Sequence, residues 1–256
     1  MSAPALEVLG VSRSFGGVKA CDKVSFTVPD GSLTAVIGPN GAGKTTVFNL
    51  VTNLYALDEG DVRFYGNSIA GRAPNAIAAL GLIRTFQSAR IFPGMTTLEN
   101  VLAGAHLHVR TPAWRQMLWS PGARHEEARL AAKAEALLGL VGLASFRDMA
   151  ATDLPMGGQK LLEVVRALMA EPRLLLLDEP AAGLNDAETA DLAEFLRAVR
   201  DSGVTVMVVE HNMSLVMGVA DEVIVLDAGT IVASGTPREI QRNARVIAAY
   251  VGQEQP

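Results

Sequence analysis

The sequence is poor in cysteine and in clustered positive charge. Cys21 is the only cysteine among 256 residues, which excludes an internal disulfide and a cysteine-rich metal site and is compatible with a reducing cytosol. The formal net charge is −5, and the lysines and arginines are scattered along the chain. A protein that binds nucleic acid usually concentrates its positive charge on one face. We therefore expect no nucleic-acid partner.

The sequence also has no secretion signal and no membrane-spanning run. The N-terminal residues 1–10 show no positive patch followed by an apolar stretch, so nothing directs the chain to export. The most hydrophobic stretch, residues 130–143, is broken by Lys133 and Glu135, whereas a transmembrane helix needs about 20 apolar residues. We therefore expect a cytoplasmic protein for which any membrane role is peripheral.

Two kinds of apolar run predict two kinds of β-strand. Alternating or β-branched runs bounded by glycine turns predict small antiparallel strands at residues 6–13, 24–28 and 61–65. Continuously apolar runs are typical of parallel strands that are covered on both faces, and they occur at residues 34–37, 174–177 and 204–209. The sequence therefore predicts an α/β fold with a mostly parallel sheet and an antiparallel β subdomain.

Helical patterns complete the predicted organisation. Residues 188–200 place apolar side chains at helical spacing between two parallel strands, and residues 222–233 are typical of a closing hairpin. The span from Thr97 to Met169 is helical in pattern, with interruptions at 111–112 and 120–122. We expect a catalytic core at about 1–96 and 171–256 and an inserted helical subdomain at about 97–170.

A glycine-rich loop predicts a phosphate site. Residues 38–46 fit the pattern G-x-x-x-x-G-K-[ST] between the apolar strand 34–37 and a helical run at 46–54. Backbone amides of such a loop surround a β-phosphate, its lysine reaches the outer phosphates, and its first hydroxyl can bind Mg²⁺. The predicted nucleotide-binding residues of this loop are Gly38, Asn40, Gly41, Ala42, Gly43, Lys44, Thr45 and Thr46. The loop alone leaves ATPases, GTPases and kinases open.

Two adjacent carboxylates end the next buried strand. Asp178 and Glu179 follow the apolar run 174–177. Asp178 is suited to hold Mg²⁺ together with Thr45, while Glu179, which we expect to point the other way along the pleat, can polarise an attacking water. The sequence therefore predicts a site for ATP and Mg²⁺ with Glu179 and Lys44 as catalytic residues.

With these motifs in this order, the sequence resembles the nucleotide-binding domains of ABC transporters from about residue 6 to the C-terminus. The resemblance implies a P-loop NTPase core of the ABC ATPase type. It also implies that Gln87, in Thr85-Phe86-Gln87, contacts Mg²⁺ and the water, and that His211 is a catalytic switch for the γ-phosphate. Phe15 stands where the family places an aromatic ring under adenine, although a purely packed Phe15 is the alternative.

The family signature is imperfect in this chain. Leu154-Pro155-Met156-Gly157-Gly158-Gln159 stands in its place, ahead of a predicted helix at 160–170, and Pro155 replaces the usual serine. Pro155, Met156, Gly157 and Gly158 are the residues that would face a nucleotide on a second subunit. Asn185 stands where aspartate is more usual. These two departures favour a working site with slowed turnover.

Within the family, the sequence is most similar to ATP-binding subunits of branched-chain amino acid uptake systems. The carriers of this resemblance are residues 178–185, 210–217, 235–237 and 248–252, together with an enlarged helical lobe at about 104–159. In that lobe Trp114 and Trp119 could touch the transporter or lipid headgroups, and local core packing is equally compatible with them.

The resemblance implies several partners. They are a second nucleotide-binding subunit, which is either a copy or a paralogue, membrane permease subunits and, indirectly, a solute-binding protein. A groove near Gln87, Arg90, Ile91 and Phe92 is the expected docking surface for the permease, at the inner face of the membrane. Three alternatives are an ABC ATPase of another transport system, a non-transport ABC ATPase, for which 256 residues are short, and a slow nucleotide sensor paired with a paralogue.

Overall fold

The structure is a computed structural model that describes residues 3–85, 91–107 and 120–251, and for 249–251 the backbone only. These residues form two compact units. The first contains residues 3–85, 173–182 and 189–251, and the second contains residues 91–107, 120–172 and 183–188.

The described chain contains both strands and helices. The strands are β1 Leu6–Phe15, β2 Val18–Val28, β3 Leu33–Ile37, β4 Glu59–Phe64, β5 Asn67–Ser68, β6 Leu82–Arg84, β7 Leu174–Asp178, β8 Thr205–Val209, β9 Glu222–Asp227 and β10 Thr230–Gly235. The α-helices are α1 Lys44–Val51, α2 Pro74–Ala79, α3 Thr97–Ala103, α4 Pro121–Leu140, α5 Met156–Leu168, α6 Asp186–Asp201, α7 Met213–Val219, α8 Pro237–Gln241 and α9 Ala244–Val251. Among the residues described, we find no helix with the length and apolar character needed to span a bilayer.

The larger sheet has the strand order β10-β9-β3-β8-β7-β6. Strand β3 pairs in parallel with β8 and β9, and β7 pairs in parallel with β6 and β8, while β10 runs antiparallel to β9. Every residue of β3, β7 and β8 is buried, so the parallel strands predicted from continuously apolar runs are confirmed. The sequence analysis missed β6, because three residues carry too little pattern.

The smaller sheet is antiparallel, with the order β2-β1-β4-β5. It shares one hydrophobic cluster with the larger sheet and with α1, in which Phe48 is fully buried beside Leu6 and Val62 of the small sheet and Leu176 and Ile224 of the large one. The predicted strands of this subdomain are confirmed. Strand β2 begins six residues earlier than predicted, at Val18, because the polar first half of this strand hides it from a pattern search.

The second unit is helical. Helix α3 packs against α4 and α5, and its first turn is closed by a capping box between Thr96 and Glu99. Ser120 caps α4 by accepting a hydrogen bond from the Ala123 amide, with Pro121 as the first helical residue. The predicted interruption at 120–122 is therefore the start of a helix. The predicted interruption at 111–112 lies outside the described residues.

Candidate nucleotide-binding site

The predicted chemical groups gather at one edge of the large sheet. Val36 of β3 and Asp178 of β7 both pair with Val209 of β8, so these three positions form one row across the parallel strands. The carboxyl ends of parallel strands meet at the same edge. Gly38 and His211 therefore follow their strands at that edge, beside the end of β7.

Glycine is required at both ends of the phosphate loop. A Cβ atom on Gly38 would lie 2.0 Å from the carbonyl oxygen of Leu226, and one on Gly43 would lie 2.4 Å from that of Ala20. Gly43 also adopts φ 101° and ends the loop as the N-cap of α1. Only glycine fits both positions without displacing the neighbouring backbone. The loop therefore lies close against its neighbours, and it leads directly into the first turn of α1.

The Lys44 ammonium lies folded over this loop. Its Nζ donates to the carbonyl oxygens of Gly38 at 2.7 Å and Pro39 at 2.9 Å, and the residue is only 7% exposed. Burial lowers the pKa of Lys44, while the negative charges of Glu179 and Asp178 act to raise it. The structure thus brings together the cation and the two carboxylates that the sequence predicts to act as a group.

The other predicted loop residues differ in their exposure. Asn40, Gly41 and Thr45 are exposed, Thr46 is half-buried, and Ala42 is buried. Thr45 lies in the first turn of α1, where free backbone amides and the helix dipole favour an anion. The exposed members can meet a ligand directly, and Ala42 holds the loop through backbone hydrogen bonds to Pro39 and Gly229.

Asp178 is held by a buried arginine that the sequence analysis missed. The Arg84 guanidinium donates to Asp178 Oδ2 at 2.8 Å, and the two side chains are 8% and 5% exposed. The same guanidinium donates to Asn49 Oδ1 of α1 at 2.6 Å. Arg84 therefore joins the metal-binding carboxylate predicted from the sequence to the helix that follows the phosphate loop.

Glu179 does not continue the pleat of β7, contrary to the expectation from alternation. The strand ends at Asp178, and Glu179 has φ 47°, a left-handed conformation that costs an L-residue about 1–2 kcal/mol. A turn follows directly, closed by a hydrogen bond of 3.1 Å from the Ala182 amide to the Glu179 carbonyl. The direction of the Glu179 side chain is thus set by a strained turn.

His211 lies in the loop between β8 and α7. Its side chain is 59% exposed, and its Nδ1 lies 4.0 Å from Glu210 Oε2.

Some of the residues predicted from the sequence lie outside the described residues. These are Gln87, Arg90, Trp114 and Trp119. Phe92 is described and is 45% exposed, with the Arg166 guanidinium 5.0 Å from its ring centre.

Phe15, the predicted adenine-stacking residue, lies at the end of β1 and is 40% exposed. The Tyr55 ring meets it edge to face at 5.2 Å, and the Arg13 guanidinium lies 5.0 Å from its centre. Asp58 fixes Arg13 through an ion pair of 2.7 Å. The ring is therefore braced by neighbours and still presents surface on which a base could stack.

The signature residues of the second unit open helix α5. Pro155 is the N-cap of this helix and supplies no side-chain cap. The helix begins at Met156, four residues before the predicted start at Lys160. Met156 is 58% exposed. Gly157 lies in the first turn, where a Cβ atom would be 2.5 Å from Glu188 Oε1. Pro155 therefore stands just ahead of the first turn.

Asn185 has a capping role in this chain. Its side-chain oxygen accepts from the Glu188 amide at 3.0 Å, and the Glu188 carboxylate accepts from the Asn185 amide at 3.0 Å. This reciprocal pair is a capping box at the start of α6, and asparagine serves it as well as aspartate does.

Two known protein families match parts of this chain. Residues 21–182 match the ABC transporter family, and residues 230–255 match the family described as branched-chain amino acid ATP-binding cassette transporter.

Individual relatives extend the match to the whole chain. The high-affinity branched-chain amino acid transport ATP-binding protein BraF of Pseudomonas aeruginosa is 42% identical, over 99% of this chain and 100% of its own length. LivG of Escherichia coli, which carries the same description, is 38% identical with the same coverage. The solved ADP conformation of an ATP-binding cassette of an ABC transporter superposes with a TM-score of 0.85 at 30% identity, covering 98% of this chain and 99% of that one.

Proposed function

The chain belongs to the ABC transporter family of ATP-binding subunits, and from that premise we propose that it powers the uptake of branched-chain amino acids. Family membership makes it an ATPase subunit of a transport system. The solute is proposed because the relatives BraF and LivG are described by branched-chain amino acid transport. A match at residues 230–255 to the family of that description supports the same solute.

One observation carries the proposed chemistry, which is that the buried Lys44 follows β3 at the sheet edge where β7 and β8 also end, with Asp178 in the same row of the sheet and Glu179 directly after it. A γ-phosphate held between these groups would have a cation on one side and a water-activating carboxylate on the other. We assign to Lys44 the stabilisation of phosphate charge, to Glu179 the alignment of the attacking water, and to His211 a hydrogen bond to the γ-phosphate.

The donor set near the phosphate loop fits Mg²⁺. Asp178 and Thr45 offer the oxygen ligands that this cation prefers, and phosphate oxygens and waters complete its coordination in ATPases. No group of three or more metal-binding His, Cys, Asp or Glu side chains occurs in the described part of the chain. When bound, Mg²⁺ neutralises part of the phosphate charge. We assign Asp178, Thr45 and Gln87 as its protein contacts.

We further propose that the working unit is a head-to-tail dimer bound to membrane permeases at the inner face of the membrane. In this arrangement Pro155, Met156, Gly157 and Gly158 face the nucleotide of the second subunit. The glycine amides at the start of α5 suit an anion, because the first amides of a helix have no intrahelical partner. Pro155 contributes neither an amide hydrogen nor a hydroxyl at this site.

Glu179→Gln tests the catalytic assignment. The variant keeps its shape but cannot accept a proton from water, so we expect ATP binding close to wild type and ATPase turnover reduced by at least about a hundredfold. Closed dimers should accumulate with ATP, measured by size-exclusion chromatography. Normal turnover would contradict the assignment.

Transport assays test the solute. The subunit would be purified with its permeases, placed in proteoliposomes and supplied with the cognate solute-binding protein. Leucine, isoleucine or valine should stimulate ATPase activity, whereas arginine, which is charged, should not. Stimulation by another solute class alone would overturn the proposed solute and leave the ATPase assignment intact.

A further inference from the structure

A fully buried carboxylate lies next to the proposed site. Glu210 follows β8 and is 0% exposed. Placing an ionised carboxylate in the protein interior costs several kcal/mol unless hydrogen bonds compensate for the lost water. A charged side chain at this position therefore needs bonding partners, and the loops around it supply them.

Three backbone amides donate to Glu210, and they come from two different loops. Oε1 accepts from the Ala181 amide at 2.7 Å. Oε2 accepts from the amides of His211 at 2.9 Å and Asn212 at 3.0 Å. Hydrogen bonds to an ionised acceptor are about twice as strong as neutral ones. One carboxylate thus links the loop after β7 to the loop after β8.

Each of these loops carries one of the residues assigned to hydrolysis. Ala181 lies inside the turn closed by the hydrogen bond from Ala182 to Glu179. The other loop contains Glu210 itself and His211 and leads into α7, where the Asn212 side chain accepts from the Leu215 amide at 3.0 Å. A displacement of either loop would therefore break a bond to the same buried charge.

We infer that Glu210 is a positioning residue that holds Glu179 and His211 in register for ATP hydrolysis. This inference rests on the proposed catalytic roles of these two residues. Glu210 acts through backbone amides, and none of the three bonds involves the phosphate loop. It should therefore affect turnover and leave nucleotide affinity unchanged.

Glu210→Gln tests the inference in the complete transporter. A carboxamide has one acceptor oxygen and would turn its NH₂ group towards the amides of one loop, so one link is lost while the volume is kept. We expect kcat to fall by about tenfold or more, since small misplacements of reacting groups cost up to about a hundredfold. The Kd for a fluorescent ATP analogue should stay within about twofold.

Asp221→Asn is the matched control. Asp221 also accepts a backbone amide, that of Leu33 at 2.8 Å, but at the opposite end of the parallel strands. Its substitution should leave kcat unchanged. A Glu210→Gln variant whose kcat equals that of Asp221→Asn would overturn the inference, whereas a wild-type protein without ATPase activity would instead contradict the proposed catalytic site.

A double-mutant cycle with His211→Ala separates positioning from general destabilisation. If Glu210 acts by placing its neighbours, Glu210→Gln should lower kcat less in the His211→Ala background than in wild type. Full additivity would overturn the inference. Should Glu210→Gln not fold, Glu210→Asp replaces it, because the shorter carboxylate cannot reach both loops. The same fall in kcat at unchanged Kd is expected, and an unchanged kcat would again overturn the inference.

Discussion

Breaking the buried pair between Arg84 and Asp178 should strongly destabilise the fold. With side chains that are 8% and 5% exposed, both charges are shielded from water. Arg84→Met keeps most of the side-chain volume but leaves the Asp178 carboxylate without its guanidinium partner. Removing one member of such a pair costs about 3–5 kcal/mol. The loss of the bond to Asn49 adds about 1 kcal/mol.

Urea unfolding followed by far-ultraviolet circular dichroism measures this cost. The matched control is Arg63→Met, which removes an ion pair of 3.0 Å to Asp61 whose side chains are 47% and 28% exposed. Because water and salt screen an exposed pair, this control should cost only about 0–1 kcal/mol. The difference between the variants isolates the effect of burial.

A second substitution locates the origin of the cost. In Arg84→Met/Asp178→Asn the unpaired charge is gone, so the double variant should be more stable than Arg84→Met alone. Two results would refute the effect of burial. One is an Arg84→Met variant whose loss of unfolding free energy is no larger than that of Arg63→Met, and the other is a double variant that is no more stable than Arg84→Met alone.

Four further substitutions, one of them a control, probe other parts of the structure. Gly38→Ala should prevent stable folding or ATP binding, because its Cβ atom would lie 2.0 Å from the Leu226 carbonyl oxygen. In the control Gly41→Ala the new Cβ atom meets no atom within 4 Å, so this variant should cost only about 1–3 kcal/mol of backbone strain. Thermal unfolding and ATP titration distinguish the two variants. Burial raises the pKa of Cys21 from 9.0 to about 11, so its neutral thiol stabilises the fold below pH 9 and this stability is lost as the pH rises towards 11. Between pH 9 and pH 11, the free energy of unfolding of Cys21→Ala should therefore fall by about 2–3 kcal/mol less than that of the wild type, measured by urea unfolding. Pro155→Ser adds a helix cap that stabilises the fold by about 1 kcal/mol. Serine also gives the unfolded chain more freedom, which destabilises the fold by a similar amount, so the melting temperature should hardly change. Steady-state ATPase activity should rise by up to about a hundredfold through the added hydroxyl, and an unchanged rate would show that this hydroxyl is not needed.

The sequence predicted those parts of the fold that depend on local pattern. The strands β3, β7 and β8 are visible because each is a continuous apolar run, and the phosphate loop is visible because its glycines and Lys44 occupy fixed positions along the chain. Helix α5 was placed too late, because Pro155 and the two glycines after Met156 are typical of a loop. The packing of this helix against α3 and α4 overrides that local preference.

The burial of Arg84 and Glu210 is not predictable from the sequence, for a physical reason. A charged residue in sequence normally indicates a solvated position, and Arg84 and Glu210 become buried only because other parts of the chain compensate them. The partner of Arg84 lies 94 residues away, and Glu210 uses backbone amides, which carry no sequence signal at all. The polar network behind the proposed catalytic groups is therefore a property of the folded topology. Local patterns identify the residues that we propose to meet ATP, but the residues that we infer to hold them in place follow only from the arrangement of the strand ends.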